Sequence, residues 1–294
     1  MYFIAGLILI ITLWALIEQN LLMTTKYLIT STKLQKEFAK TSFIVLSDLH
    51  NHSFGKNNKR LLAKINKLSP DFIIVAGDMI NKRQKCIPSN AFLLLQTLAK
   101  RYQIYYAFGN HEQYIEQIHK EKLQLPIESI DESNSTWVEY IERLTSSGIV
   151  FLDNESIIMT KDNSKIRISG VTVELEYYGN GSASKLQAEY LERLLGKKED
   201  NIFQLLIAHN PIYFKEYINW GADLTISGHL HVGLVRLPFL RGMLSPQVKF
   251  FPRYDAGRFE ENGKEMIVSR GLGSHSIMFR LFNPPELVYI RLKK

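Results

Sequence analysis

"FIVLSDLH" (43–50) and "DFIIVAGDMI" (71–80) decide how this chain folds: each is a short apolar run that ends on a carboxylate. "YQIYYAFGNHE" (102–112) repeats the plan with an asparagine and a histidine at its tip. Helix-like stretches lie between them, from about residue 57 to 68 and at "NAFLLLQTLAK" (90–100). Strand, helix, strand, helix, strand predicts a parallel sheet with right-handed crossovers. Such a sheet binds ligands outside the carboxyl ends of its strands, where all three polar tips fall.

Further along, residues 116–148 become charged and helical and end on a capping glycine, Gly148. "IVFLDNESIIM" (149–159) and "KIRISGVTVE" (165–174) read as an antiparallel pair. A helix, "SASKLQAEYLERLLGK" (182–197), leads to "NIFQLLIAHNP" (201–211) and "ADLTISGHLH" (222–231), again apolar runs that end on histidine. The alternation continues without a linker, so a single domain is expected over 41–294.

With 294 residues, 46% hydrophobic and 22% charged, the chain buries a large core. The formal charge of +7 is compatible with phosphate-bearing partners or an anionic membrane face. A lone cysteine, Cys86, excludes an internal disulfide framework and a thiolate-cluster metal site, which leaves metal binding to His, Asp, Asn and Glu. At the other end, "MYFIAGLILIITLWALIEQNLLM" (1–23) is apolar from Phe3 to Ile17, with no basic n-region and no small-residue cleavage site. It predicts an uncleaved transmembrane anchor over 1–25, near the lower length limit of about 20 residues. Lys26, Lys33, Lys36 and Lys40 follow it, which puts the remainder on the cytoplasmic side.

The strand tips carry Asp48 and His50, Asp78, Asn110 with His111 and Glu112, His209, and His229 with His231, five of the eight histidines. In "DLH" and "HLH" the outer residues are two apart, so an extended segment would project both side chains to one side. Gly77, Gly109 and Gly228 permit sharp turns and close approach of ligands. Oxygen and imidazole donors suit divalent manganese, iron or zinc, and one carboxylate placed between two ions bridges them at about 3.5–4 Å.

The order D-x-H, G-D, G-N-H-E, H, G-H-x-H resembles the calcineurin-like metallophosphoesterase superfamily from residue 43 onward. The resemblance implies an α/β fold, a four-layer α/β/β/α sandwich, with two divalent ions, manganese first and iron or zinc as alternatives. Asp48, His50 and His231 would hold the first metal, Asp78 would bridge, and Asn110, His209 and His229 would hold the second. His111 would stay off the metals and reach the substrate, while Glu112 supports the turn. Paired cations would activate a bridging water for in-line attack on phosphorus, with His111 assisting as general acid.

"NLLMTTKYLITSTKL" (20–34), "FFPRYDAGRF" (250–259) and "SRGLGSHSIMFRLFNPPEL" (269–287) resemble a membrane-anchored bacterial branch that includes enzymes acting on UDP-diacylglucosamine. Val232 and Leu234 depart from that branch, which usually shows two glycines and a glutamine after the last histidine. The expected activity is that of a phosphodiesterase or pyrophosphatase on a lipid-linked or cell-envelope substrate at the membrane. The rivals are a non-catalytic scaffold of the same fold and a nuclease. A degenerate scaffold is free to lose ligands, yet all seven positions and His111 carry competent residues. No appended domain supplies a nucleic-acid track, so nucleic acid is not an expected partner, and no protein partner is deducible. The basic, apolar stretch 234–253 reads either as a rim for a lipid head group or as a packed loop. His52, His119 and His275 need no metal role, and Tyr177 and Tyr178 read as sheet or rim residues rather than catalysts.

Overall fold

The alternating burial of one strand shows how the layers form. In Ser42–Leu46, Phe43 and Val45 face one core while Ile44 and Leu46 face another, so the strand is apolar throughout because both faces are covered. The computed structural model describes residues 2–82, 89–123, 132–179, 186–187, 189–230, 253–274 and 280–294. In chain order the elements are α1 (Tyr2–Glu18), β1 (Met23–Thr30), β2 (Ser42–Leu46), α2 (Lys59–Leu68), β3 (Phe72–Ala76), α3 (Ser89–Ala99) and β4 (Gln103–Ala107). They continue with α4 (Asn110–Leu123), α5 (Glu132–Ser146), β5 (Ile149–Phe151), β6 (Glu155–Lys161), β7 (Ser164–Val171), α6 (Tyr190–Leu195) and β8 (Phe203–Ala208). The last are α7 (Phe214–Trp220), β9 (Leu224–Ser227), β10 (Gly257–Glu261), β11 (Lys264–Val268) and β12 (Glu286–Lys293).

Two six-stranded sheets face each other, ordered β1-β12-β2-β3-β4-β5 and β10-β11-β9-β8-β7-β6. Strands β2 to β5 run parallel, as do β7, β8, β9 and β11. Between the sheets Phe43, Val45 and Ile74 meet Ile166, Phe203, Leu205 and Ile226. The outer face of the first sheet packs on α2, α3 and α5 through Leu61, Ile65, Leu95, Tyr140 and Leu144. The outer face of the second packs on α6 and α7 through Tyr190, Leu191, Tyr217 and Trp220. The carboxyl ends of β2, β3, β4, β8 and β9 thereby open toward one another.

Three local readings change. The run 149–159 holds two strands in different sheets: β5 joins β4, while β6 pairs antiparallel with β7. The helix expected from 116 begins at Asn110, so Asn110, His111 and Glu112 occupy its first turn. Residues 23–30, upstream of the expected boundary at 41, form β1, which pairs in parallel with β12.

The expected transmembrane segment over 1–25 is not supported by the structure, and β1 takes its last residues from Met23 onward. Helix α1 stops at Glu18 after 17 residues, about 25 Å of rise against about 30 Å of hydrocarbon. Glu18 is itself buried and accepts a hydrogen bond from the Phe282 N–H at 2.8 Å, so the helix end belongs to the folded body. Among the described residues no helix is long and apolar enough to cross a membrane. The lysines read as an orientation signal also have structural places: Lys26 lies within β1, and Lys33 pairs with Asp223 at 3.1 Å.

Candidate metal centre

The tips of β2 and β3 are not extended. Asp48, His50 and Asp78 all sit at positive φ (52°, 47° and 54°), as does His229 beyond β9 (72°). This corrects the extended reading of "DLH": left-handed backbone, unusual for non-glycine residues, re-aims these side chains at the sheet ends. Backbone hydrogen bonds hold the β2 tip to the β3 tip, from Asp48 N to Gly77 O (3.0 Å), His50 N to Asp78 O (3.0 Å) and Asn51 N to Met79 O (2.9 Å). Two glycines are required by close approach. A Cβ on Gly109 would lie 2.2 Å from Asp78 Oδ1, and one on Gly228 would lie 2.4 Å from Asp48 Oδ2.

Asp78 is the hub. Its Oδ2 lies 3.9 Å from Nε2 of His50, 3.9 Å from Nε2 of His111 and 3.2 Å from Nε2 of His209. Two buried triads with convergent ligand atoms share it: His50–Asp78–His111 and Asp78–His209–His229. Asp48 adds a carboxylate oxygen 3.9 Å from His209 Nε2, and it accepts hydrogen bonds from Ser47 Oγ and the His229 N–H.

Glu112 braces this hub from below. It is fully buried and accepts from the N–H groups of Asp78 (2.8 Å), Met79 (2.8 Å), Ile80 (3.3 Å) and Gly109 (3.0 Å), and from the Tyr106 hydroxyl (2.8 Å). The sequence suggested a supporting role, but not that this side chain gathers the backbone of two strand tips.

Burial and mutual charge set the protonation of the cluster. Burial raises Asp78, but His209, His111 and His50 outweigh it and hold the carboxyl well below the usual range. Burial pushes Asp48 up to about 6, against the attraction of His209 and with help from the negative Asp78. Glu112 is pushed up to about 7, first by burial and then by Asp78. Burial disfavours the charged form of His209, yet the adjacent Asp78 lifts it to about 10.

The donor set fits divalent cations. His209 Nδ1 lies 2.6 Å from Ala76 O, a contact that makes Nδ1–H the donor and leaves Nε2, which faces Asp78, as the nitrogen that would bind a metal once its proton is displaced. Asn110 Oδ1 is buried with no hydrogen-bond donor beside it, as an oxygen intended for a metal would be. His111 is oriented differently: the Lys82 N–H donates to its Nδ1 at 2.9 Å, which leaves the proton on Nε2, facing Asp78.

Of the residues singled out in the sequence, Asp48, His50, Asp78, His111, His209 and His229 converge, with Asn110 at the head of α4. His231, Cys86, His275 and the stretch 234–252 lie outside the described residues. His52 packs edge-on against Phe54, 4.8 Å between ring centres. Tyr178, read as a sheet or rim residue, lies with its ring 4.9 Å from that of His229. No feature of its sequence neighbourhood marks it.

Facing sheets with imidazoles and carboxylates gathered at their strand ends define a metal-dependent hydrolase architecture. Residues 41–233 match the family model described as calcineurin-like phosphoesterase, and the chain belongs to that family. It is 24% identical over 281 residues to the metallophosphoesterase YkuE of Bacillus subtilis, covering 94% of this chain and 87% of that one. A Helicobacter pylori metallophosphoesterase is 27% identical over 88% of this chain, which spans 61% of that relative's length. The UDP-2,3-diacylglucosamine pyrophosphatase LpxG of Chlamydia trachomatis is 23% identical, covering 94% of this chain and 90% of its own length. The protein is a hydrolase of phosphoester bonds.

Proposed function

We propose that the protein is a binuclear metal-dependent phosphodiesterase or pyrophosphatase acting on a lipid-linked or cell-envelope phosphoester. The observation that carries this reading is the place of Asp78, whose Oδ2 faces both His50 Nε2 of the first sheet (3.9 Å) and His209 Nε2 of the second (3.2 Å). Asp48, His50 and, on the sequence reading alone, His231 would hold one ion; Asn110, His209 and His229 would hold the other; and Asp78 would serve both. Manganese is the first candidate, since oxygen and imidazole donors accept it readily. When bound, the ions supply a nucleophile at neutral pH and neutralise the phosphoryl oxygens.

The chain's own residues do the rest. Glu112 fixes the backbone of Asp78, and the Ala76 carbonyl fixes the His209 tautomer. His111, with its Nδ1 occupied by the Lys82 N–H, keeps its Nε2 proton for the departing oxygen. The lipid-linked substrate is supported by the activity that names the chlamydial relative.

The test is hydrolysis by manganese-reconstituted protein of a phosphomonoester, a phosphodiester and a nucleoside-diphosphate lipid, with metal content measured on the same sample. Turnover of the diester or the diphosphate at two ions per chain is expected. Cleavage of the monoester alone removes the diesterase and pyrophosphatase assignment and leaves the metal centre standing.

A further inference from the structure

Tyr178 ends a 3-10 turn, Leu175–Tyr178, in the connection after β7. The turn is tied to the very segment that carries His209. The Asn210 side-chain amide donates to Tyr177 O at 3.2 Å, and the Tyr213 hydroxyl donates to the same oxygen at 3.0 Å. The Tyr177 ring is wedged edge-on between Tyr190 (5.4 Å) and Tyr213 (5.8 Å), which fixes the turn from its outer side. On the other side the turn packs against α4, whose first turn holds His111.

This anchoring delivers the Tyr178 ring to the second triad. Its centre lies 4.9 Å from His229, at 75° between planes, and 6.3 Å from His209, at 40°. Tyr178 is half-buried, with its ring held against the two imidazoles. An aromatic surface held rigidly next to a phosphate-binding centre offers dispersion and quadrupole contacts to a planar group carried on that phosphate.

We propose that Tyr178 is a specificity-determining residue, a platform against which a planar, nucleobase-like portion of the substrate packs while its phosphate sits at the metal centre. The inference deepens the phosphoesterase reading, and rests on it for the position of the phosphate.

A binding comparison separates the two. Uridine 5′-monophosphate and ethyl phosphate share the phosphate anchor and differ in the planar base. On manganese-loaded wild-type protein, calorimetry is expected to show the nucleotide bound about 10-fold tighter, the size expected of one base–aromatic contact. Tyr178→Leu should abolish that preference, leave ethyl phosphate within about 2-fold, and leave metal content unchanged, while Tyr178→Phe retains the preference. Three results overturn the proposal: no preference in the wild type, a preference that survives in Tyr178→Leu, or equal weakening of both ligands, which assigns the ring to support of His229. If the preference behaves as expected but the wild type turns over no phosphodiester or diphosphate, the proposed function fails and the platform stands.

Discussion

At the first sheet, His50, Asp78 and His111 stand on tips tied to one another by backbone hydrogen bonds and gathered from below by Glu112. At the second sheet, the Gly228 N–H donates to His209 O, and further ties cross to the first: Ala76 O holds His209 Nδ1, and the Asp48 carboxylate takes the His229 N–H. Both halves are tied within themselves and to each other, but only the first has a buried carboxylate, Glu112, bracing it. Damage to the β2 and β3 tips is expected to unseat His209 and His229 as well, whereas damage at the β8 and β9 tips should leave the Glu112 brace intact.

The sharpest way to break this asymmetry is Asp78→Ala. Because both triads share that carboxylate, loss of both ions and a fall in turnover of at least about 10⁴-fold are expected. His209→Ala, by contrast, should remove one ion of two; elemental analysis that finds both variants with equal residual metal contradicts the hierarchy.

Next in size is His111→Ala. Metal content should stay at the wild-type level while kcat falls about 10²–10⁴-fold, the usual contribution of a general acid. If this variant loses metal instead, His111 is a ligand of the first triad rather than the proton donor.

Glu112→Gln tests the bracing itself. The carboxamide presents an N–H₂ group to N–H donors that now meet oxygen, and a stability loss of about 2–3 kcal/mol is expected in urea unfolding of the metal-free protein. A change under about 0.5 kcal/mol would make the first half no better braced than the second.

The smallest effect concerns protons. In the metal-free protein His209, raised to about 10, is protonated at neutral pH, and a metal accepts only the neutral ring. Raising the pH removes that proton, so the apparent manganese affinity should rise between pH 6 and 9, by up to about tenfold per unit for one displaced proton. Calorimetry in buffers of different ionisation enthalpy reads the released proton directly.

Much of this centre was legible in the sequence, for a reason visible at each tip: an apolar run covered on both faces must end where polar groups begin, as at Leu46 before Asp48 and Ala76 before Asp78. The backbone geometry was not legible, because spacing alone cannot distinguish an extended Asp48–His50 segment from the left-handed one. Strand β1 was hidden by its neighbour. Its burial is uneven and its composition mixed, and it continues directly from an apolar helix, so only its pairing with β12 reveals it. Tyr178 was hidden because its place depends on a carbonyl, Tyr177 O, captured by residues more than thirty positions away.

The order β1-β12-β2 also governs how the chain is assembled as it is made. Glu286–Lys293 lies between β1 and β2, so the first sheet cannot close until β2 to β11 have been synthesised. A nascent chain stalled before that segment carries the Asp48 and Asp78 tips on a sheet split at β2, and such chains should be conspicuous clients for chaperones that recognise unpaired strand edges.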